Sequence, residues 1–275
     1  MTTPTAVCYR HPNRATGLSC SDCGRPICST CSVDAAVGQK CPECLKDAGR
    51  QKIVHAGRGK PGLNTAGAPV TTAILAVTVA VFITGWIFPG FGASVRDALI
   101  QANWLVEAGE WWRVVTAALL HAGAFHLLFN MWALTSFGSV IERQVGSLPF
   151  LGLYLAGAAG GGVMAFHLHD RNTALVGASG AIFGLIGLWL GQAYHARHTV
   201  RGRLALGQLQ MLLLVNAIFP LLVPQVSWQG HLGGLLAGLL VGEIWRRLPS
   251  DRRSGPLRLS AALGVVLVAI ATLLS

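Results

Sequence analysis

Charge is what this sequence has least of. Asp, Glu, Lys and Arg make up 12% of its 275 residues, against roughly 25% in an ordinary soluble domain. So few solvated side chains cannot cover a water-facing surface, which argues against a soluble enzyme. Acidic residues are the scarcer sign, 11 against 21 Lys and Arg, for a net charge of +10. Cysteine does not occur after Cys44, so the last four-fifths of the chain has no disulfide framework. No His-Glu-x-x-His occurs, which removes the usual zinc-protease motif. No repeat of hydropathy marks the duplicated halves of a transporter. In their place the sequence has 52% apolar residues and 34 glycines, with a mean hydropathy of +0.54. These predict an all-α polytopic membrane protein.

The seven cysteines crowd into the first 44 residues as Cys8-x-x-His11, Cys20-x-x-Cys23, Cys28-x-x-Cys31 and Cys41-x-x-Cys44. Seven thiols and one imidazole supply the eight ligands of two tetrahedral Zn²⁺ sites, structural in role. The short gap between Cys23 and Cys28 favours a cross-braced arrangement, first pair with third and second with fourth, over two sequential sites. A disulfide knot is disfavoured by the odd cysteine count and by the lack of a cleavable signal peptide ahead of it. Thiolate ligands need a reducing compartment, so a cytoplasmic N-terminus is expected. The pattern resembles a B-box zinc finger, which implies a zinc-binding domain over 1–46; a regulatory role or the docking of a protein partner is the expectation for it. Residues 47–68, with Arg50, Lys52, Arg58 and Lys60 among Gly and Pro, read as a basic linker beside the bilayer.

Apolar stretches predict seven spans, near 69–89, 114–138, 148–167, 178–194, 204–223, 230–246 and 256–274. With the N-terminus inside, eighteen of the 21 Lys and Arg fall on inner segments, and only Arg96, Arg113 and Arg171 fall outside. This positive-inside bias agrees with the zinc argument. It also disposes of a nucleic-acid partner, because the cations are spread over several loops. The stretch from 90 to 112, with Trp104, Trp111 and Trp112, reads as a long outer loop resting at the membrane interface.

Polar residues within spans are costly and mark function. His121, His126, Asn130, Ser179 and His231 all fall toward the outer ends of their segments, whereas the polar residues of a channel would occur at both depths. A serine in a span is ordinarily satisfied by the preceding turn of its own helix. Here Gly177-Ala178-Ser179-Gly180 suggests a tight turn into a helix whose free N–H groups can hold an oxyanion. Gly180 and Gly184, and Gly234 and Gly238, form two G-x-x-x-G pairs that would let the fourth and sixth spans pack closely. His126 and Asn130, four apart, share a helix face. His121 has a structural role as its simplest reading, and no carboxylate lies at this depth to complete a triad.

Trp112-Arg113, His121-x4-His126-x3-Asn130, Gly177-Ala178-Ser179-Gly180 and Gln229-Gly230-His231-Leu232-Gly233-Gly234 together resemble the rhomboid intramembrane serine proteases over about residues 69–247. The resemblance implies a six-helix core over 69–247, with 248–275 as one appended transmembrane helix. It implies a hydrolase that cleaves transmembrane segments of other proteins in the bilayer of the cell membrane, its site opening toward the extracytoplasmic side. It implies Ser179 as nucleophile and His231 as general base, with His126, Asn130 and the Ser179 N–H as the oxyanion hole, and no catalytic metal. Family members often carry tyrosine four residues after the nucleophile, where this chain has Phe183. The alternative is a catalytically inactive relative that binds membrane clients.

Overall fold

The computed structural model describes residues 6–34, 39–44, 65–223, 226–249 and 254–274. Most of the expected basic linker lies outside the described residues. The chain divides into two compact units, residues 1–60 and 61–275.

The smaller unit has little apolar material. Strand β1 (Val7–Cys8) pairs antiparallel with β2 (His11–Ala15), and β3 (Val33–Asp34) with β4 (Gln39–Lys40). Its buried cluster is Ile27 surrounded by Cys8, Cys20, Cys28, Cys31 and Cys41. One isoleucine cannot hold some forty residues against their conformational entropy, so an ion held by these thiols would supply much of the unit's stability.

Among its described residues, the larger unit is helical apart from turns and one two-residue strand pair. Helix α1 (Pro69–Ile87) starts at a proline, whose missing N–H costs nothing in a first turn. The stretch expected as a loop instead folds into α2 (Pro89–Leu99), β5 (Gln101–Ala102) and α3 (Asn103–Glu107). It is pinned by polar groups. Arg113 Nη1 donates to the carbonyls of Asp97 (2.7 Å) and Ile100 (2.9 Å), and Gln101 Nε2 to that of Gly162 (2.8 Å). Strand β5 pairs antiparallel with β6 (Ala174–Leu175), which leads into the segment before Ser179.

The expected second span over 114–138 is interrupted. Residues 113–123 form a short helix α4 (Arg113–Thr116), a 3₁₀ turn (Ala117–Leu119) and an extended turn. The spanning helix α5 runs over Ala124–Val145. Its middle, Leu134–Gly138, is wound as a π-turn. Thr135 and Ser139 satisfy loosened carbonyls there, donating to Met131 O and Thr135 O at 2.6 Å each. Gly138 packs so closely that a methyl group on it would sit 3.0 Å from Leu134 Cδ1 and 3.2 Å from Phe150.

The remaining helices are α6 (Ser147–Leu168), α7 (Ser179–His195), α8 (Val200–Leu222), α9 (Trp228–Arg247) and α10 (Gly255–Ala271). Among the described residues, α1, α5 and α6 are long and apolar enough to cross a membrane by length and composition. Trp86, Phe125, Leu267 and Val268 stay exposed, as suits side chains that face lipid. This is an all-α polytopic membrane protein.

The centre is the junction of α6, α7 and α9. Gly234 faces the carbonyl of Gly180, Gly238 that of Gly184, and Gly161 that of Gly230. A methyl group at Gly161 would stand 2.6 Å from Gly230 O. The helices therefore meet backbone to backbone, the close approach that small residues permit in lipid. At the other end of α5, the buried Glu142 caps α1 from a distance. Its carboxylate accepts from the N–H of Val70 (2.9 Å) and Thr71 (2.8 Å) and from the hydroxyls of Thr71 (2.8 Å) and Ser147 (2.6 Å). No side chain of α1's own N-cap residue does this, so the free donors of its first turn are met by α5.

Candidate active site and metal centres

The cysteines and histidine form two groups. Cys8, His11, Cys28 and Cys31 make one, and Cys20, Cys23, Cys41 and Cys44 the other, the ligand atoms of each lying within 4.8 Å of one another. The arrangement is cross-braced, first pair with third and second with fourth. All seven thiols are free of disulfides. A tetrahedral ion bonded at about 2.3 Å to sulfur and about 2.05 Å to nitrogen separates its ligand atoms by about 3.6–3.8 Å. His11 Nδ1 lies 3.7, 3.4 and 3.4 Å from the sulfurs of Cys8, Cys28 and Cys31, and Cys23 Sγ lies 3.8 Å from Cys41 Sγ. Both groups fit a metal ion. The Cys41 N–H, 3.3 Å from Cys20 Sγ, acts with the N–H groups of Cys23 and Asp22 to bring the Cys20 thiol down to about 6. Such N–H···S bonds favour the thiolate that a metal needs.

In the larger unit, Ser179 is the first residue of α7. Gly177 ahead of it has φ +132°, outside the range of L side chains, and its N–H donates to Ala117 O at 3.0 Å. A Cβ there would lie 2.8 Å from His126 Cε1, 2.9 Å from His126 Nε2 and 3.8 Å from Ser179 Oγ. The glycine thus serves twice: it makes the turn, and its missing side chain leaves room for the His126 ring beside the serine.

His231 reaches the same place from α9. Its ring stacks on Phe183, one turn beyond Ser179, with centroids 4.1 Å apart and planes 9° from parallel. The start of α9 is fixed by Ser227, whose Oγ accepts from the Gly230 N–H at 3.0 Å and lies 3.0 Å from His169 Nε2. Among the described residues no hydrogen bond joins Ser179 to His231; His231 Nδ1 is buried without a partner. The two residues sit on facing turns of α7 and α9.

Asn130 is buried one turn below His126, and its Nδ2 donates to the His126 carbonyl at 2.9 Å. One amide N–H is engaged within the helix, and the second is left for another acceptor. His121 was expected inside the second span. It lies instead in the turn before α5, its ring 5.0 Å from that of His126 and both nitrogens buried without partners among the described residues. Sequence reasoning passed over Ser227 and His169, which hold the helix that carries His231. A serine three residues before Gly230 is an N-cap signature that could have found the first.

Comparison with known proteins identifies the family. Residues 108–248 match the rhomboid domain family, a span that covers His126, Asn130, Ser179 and His231. The chain is 33% identical to "Rhomboid-like protease 1" of Toxoplasma gondii over 208 residues, 70% of this chain and 71% of that protein. It is 37% identical to "Rhomboid protease GluP" of Bacillus subtilis (strain 168) over 180 residues, 64% of this chain and 35% of that protein. It is 34% identical to "RHOMBOID-like protein 6, mitochondrial" of Arabidopsis thaliana over 167 residues, 60% and 54% of the two chains. The chain thus spans only part of some relatives. The matched domain takes in more than half of this sequence, including the glycine-lined junction and the residues gathered around it: the chain belongs to the rhomboid family.

Proposed function

We propose that the protein is an intramembrane serine endopeptidase that cleaves transmembrane segments with a Ser179–His231 dyad. The observation that carries this reading is the convergence at one end of the bundle. His126 stands beside Ser179 across the Gly177 gap, and His231 is stacked on the turn that follows. His231 Nε2 would take the Ser179 proton as Oγ attacks the scissile carbonyl, then return it to the leaving amine. Water resolves the acyl-enzyme by the same route. His126, the Ser179 N–H and the second amide N–H of Asn130 would face the developing oxyanion. With no carboxylate bonded to His231, the Phe183 ring orients the imidazole, a dyad rather than a triad.

The same reading places seven spans in the cell membrane, with the N-terminus in the cytoplasm and the site on the extracytoplasmic side. The residues before α5, α7 and α9 share that side, and Arg143, Arg246 and Arg247 lie at the opposite ends of their helices. Zn²⁺ is the proposed ion of both metal centres, structural rather than catalytic. Residues 1–46 would be a zinc-binding domain open to a protein partner, 69–247 the protease core and 248–275 an added helix.

Incubation of the purified protein with a single-span substrate tests this. Wild type is expected to cleave, and Ser179→Ala and His231→Ala to lose at least about 10³-fold. A fluorophosphonate should label Ser179. The absence of a direct Ser179–His231 hydrogen bond is what a client-binding pseudoenzyme would show. Folded wild type that neither cleaves nor is labelled would favour that second reading.

A further inference from the structure

At the end of the bundle opposite Ser179, a cavity of about 1100 Å³ opens among α7, α8 and α9 and the start of α10. We propose that it is a binding site for an anionic phospholipid, with an acyl chain along its floor and the phosphate at its mouth. The floor is aliphatic, formed by Leu188, Leu206, Leu213 and Leu239. Helix α8 leans mainly on α7, and under the proposed topology the groove between them faces the bilayer. The mouth is cationic. Glu243, the one acid among its described lining residues, accepts from Arg246 (2.7 and 2.9 Å) and Arg247 (3.1 and 3.2 Å) and lies 3.2 Å from His195 Nε2. Two arginines already more than neutralise it.

Among the described residues, the half-buried Arg258 is the charge left over. It lines the same cavity, and its Nε is buried with no hydrogen-bond partner among the described residues. Its backbone carbonyl is held by Trp245 Nε1 at 2.8 Å, so the residue is fixed at the rim. A buried guanidinium nitrogen without an acceptor is costly, and a phosphodiester oxygen supplies that acceptor. An apolar groove with a cationic rim at a helix end is complementary to one anionic phospholipid molecule. A soluble anion would leave the aliphatic floor unfilled, and a zwitterionic lipid would oppose its own cation to the arginines.

The test is native mass spectrometry of the full-length protein, with phosphatidylglycerol or phosphatidylcholine titrated in detergent. Wild type is expected to retain one phosphatidylglycerol that phosphatidylcholine does not displace at equal concentration. Arg258→Gln should weaken that binding about fivefold. Gly191→Leu should block the chain's path: a Cβ there meets only Leu239 Cδ2, at 3.6 Å, so the leucine fills the groove without disturbing the charges. Both variants should keep the wild-type unfolding temperature in lipid-free detergent, which separates lost binding from misfolding. Equal retention of the two lipids, unchanged binding by Arg258→Gln, or full competition by glycerol phosphate would each overturn the proposal. The lipid count does not depend on whether Ser179 is a nucleophile.

Discussion

Two residues show how one side chain, present or missing, sets this molecule's chemistry. Gly177 holds a backbone conformation closed to L side chains and leaves the space that His126 enters. Gly177→Ala should add about 1–3 kcal/mol of strain and push the ring away. Cleavage should fall at least about tenfold, with the helical circular dichroism unchanged. Glu142 is the opposite case, a single carboxylate that answers four donors. Glu142→Ala would orphan the first N–H groups of α1 and is expected to destabilise the protein by about 3 kcal/mol, read as a lower unfolding temperature in detergent. Glu142→Gln keeps an acceptor oxygen and should lose less. Phe183 gives a subtler expectation. Phe183→Tyr keeps the stack on His231 and adds a hydroxyl, so kcat should change by less than about tenfold.

At the scale of elements, the glycine pairs of α7 and α9 decide whether the site exists. Gly234 and Gly238 face the backbone of Gly180 and Gly184, and no side chain fits between. Gly234→Val should force the helices apart, cost about 2–3 kcal/mol and remove cleavage together with stability. Gly264→Val on α10, where a Cβ would meet nothing within 4 Å, is the control expected to change neither. These spacings were legible in the sequence because G-x-x-x-G repeats at the helical period. The interruption of the second span was not. Residues 114–123 are as apolar as a helix interior. What breaks them is tertiary: the Ala117 carbonyl is taken by the Gly177 N–H, and Arg113 is tied to Asp97 and Ile100. Hydropathy cannot report hydrogen bonds made to distant segments, so His121 read as helical when it is not.

Across the whole molecule, two units rest on different physics. Residues 61–275 are held by helix packing and need no metal in the proposed chemistry. The N-terminal unit has Ile27 as its main apolar anchor, alongside eight side chains that could hold metal ions. A chelator should therefore release two ions per chain and abolish the amide dispersion of residues 6–44. It should leave the helical signal and the cleavage rate of the larger unit within about twofold. Loss of cleavage on chelation would mean that the small unit controls the large one.

The order of residues along the chain was enough to mark a membrane protein, a cysteine-rich head and the four polar positions now found at one end of the bundle. Composition reports the solvent a chain prefers, and spacing reports which side chains share a turn or a helix face. Tertiary structure alone decided which cysteine pairs share a centre, that Asn130 spends one N–H on its own helix, and that His231 lies over Phe183 without a hydrogen bond to Ser179. Each of those depends on distances between segments far apart in sequence, and such distances are set only when backbones close on one another.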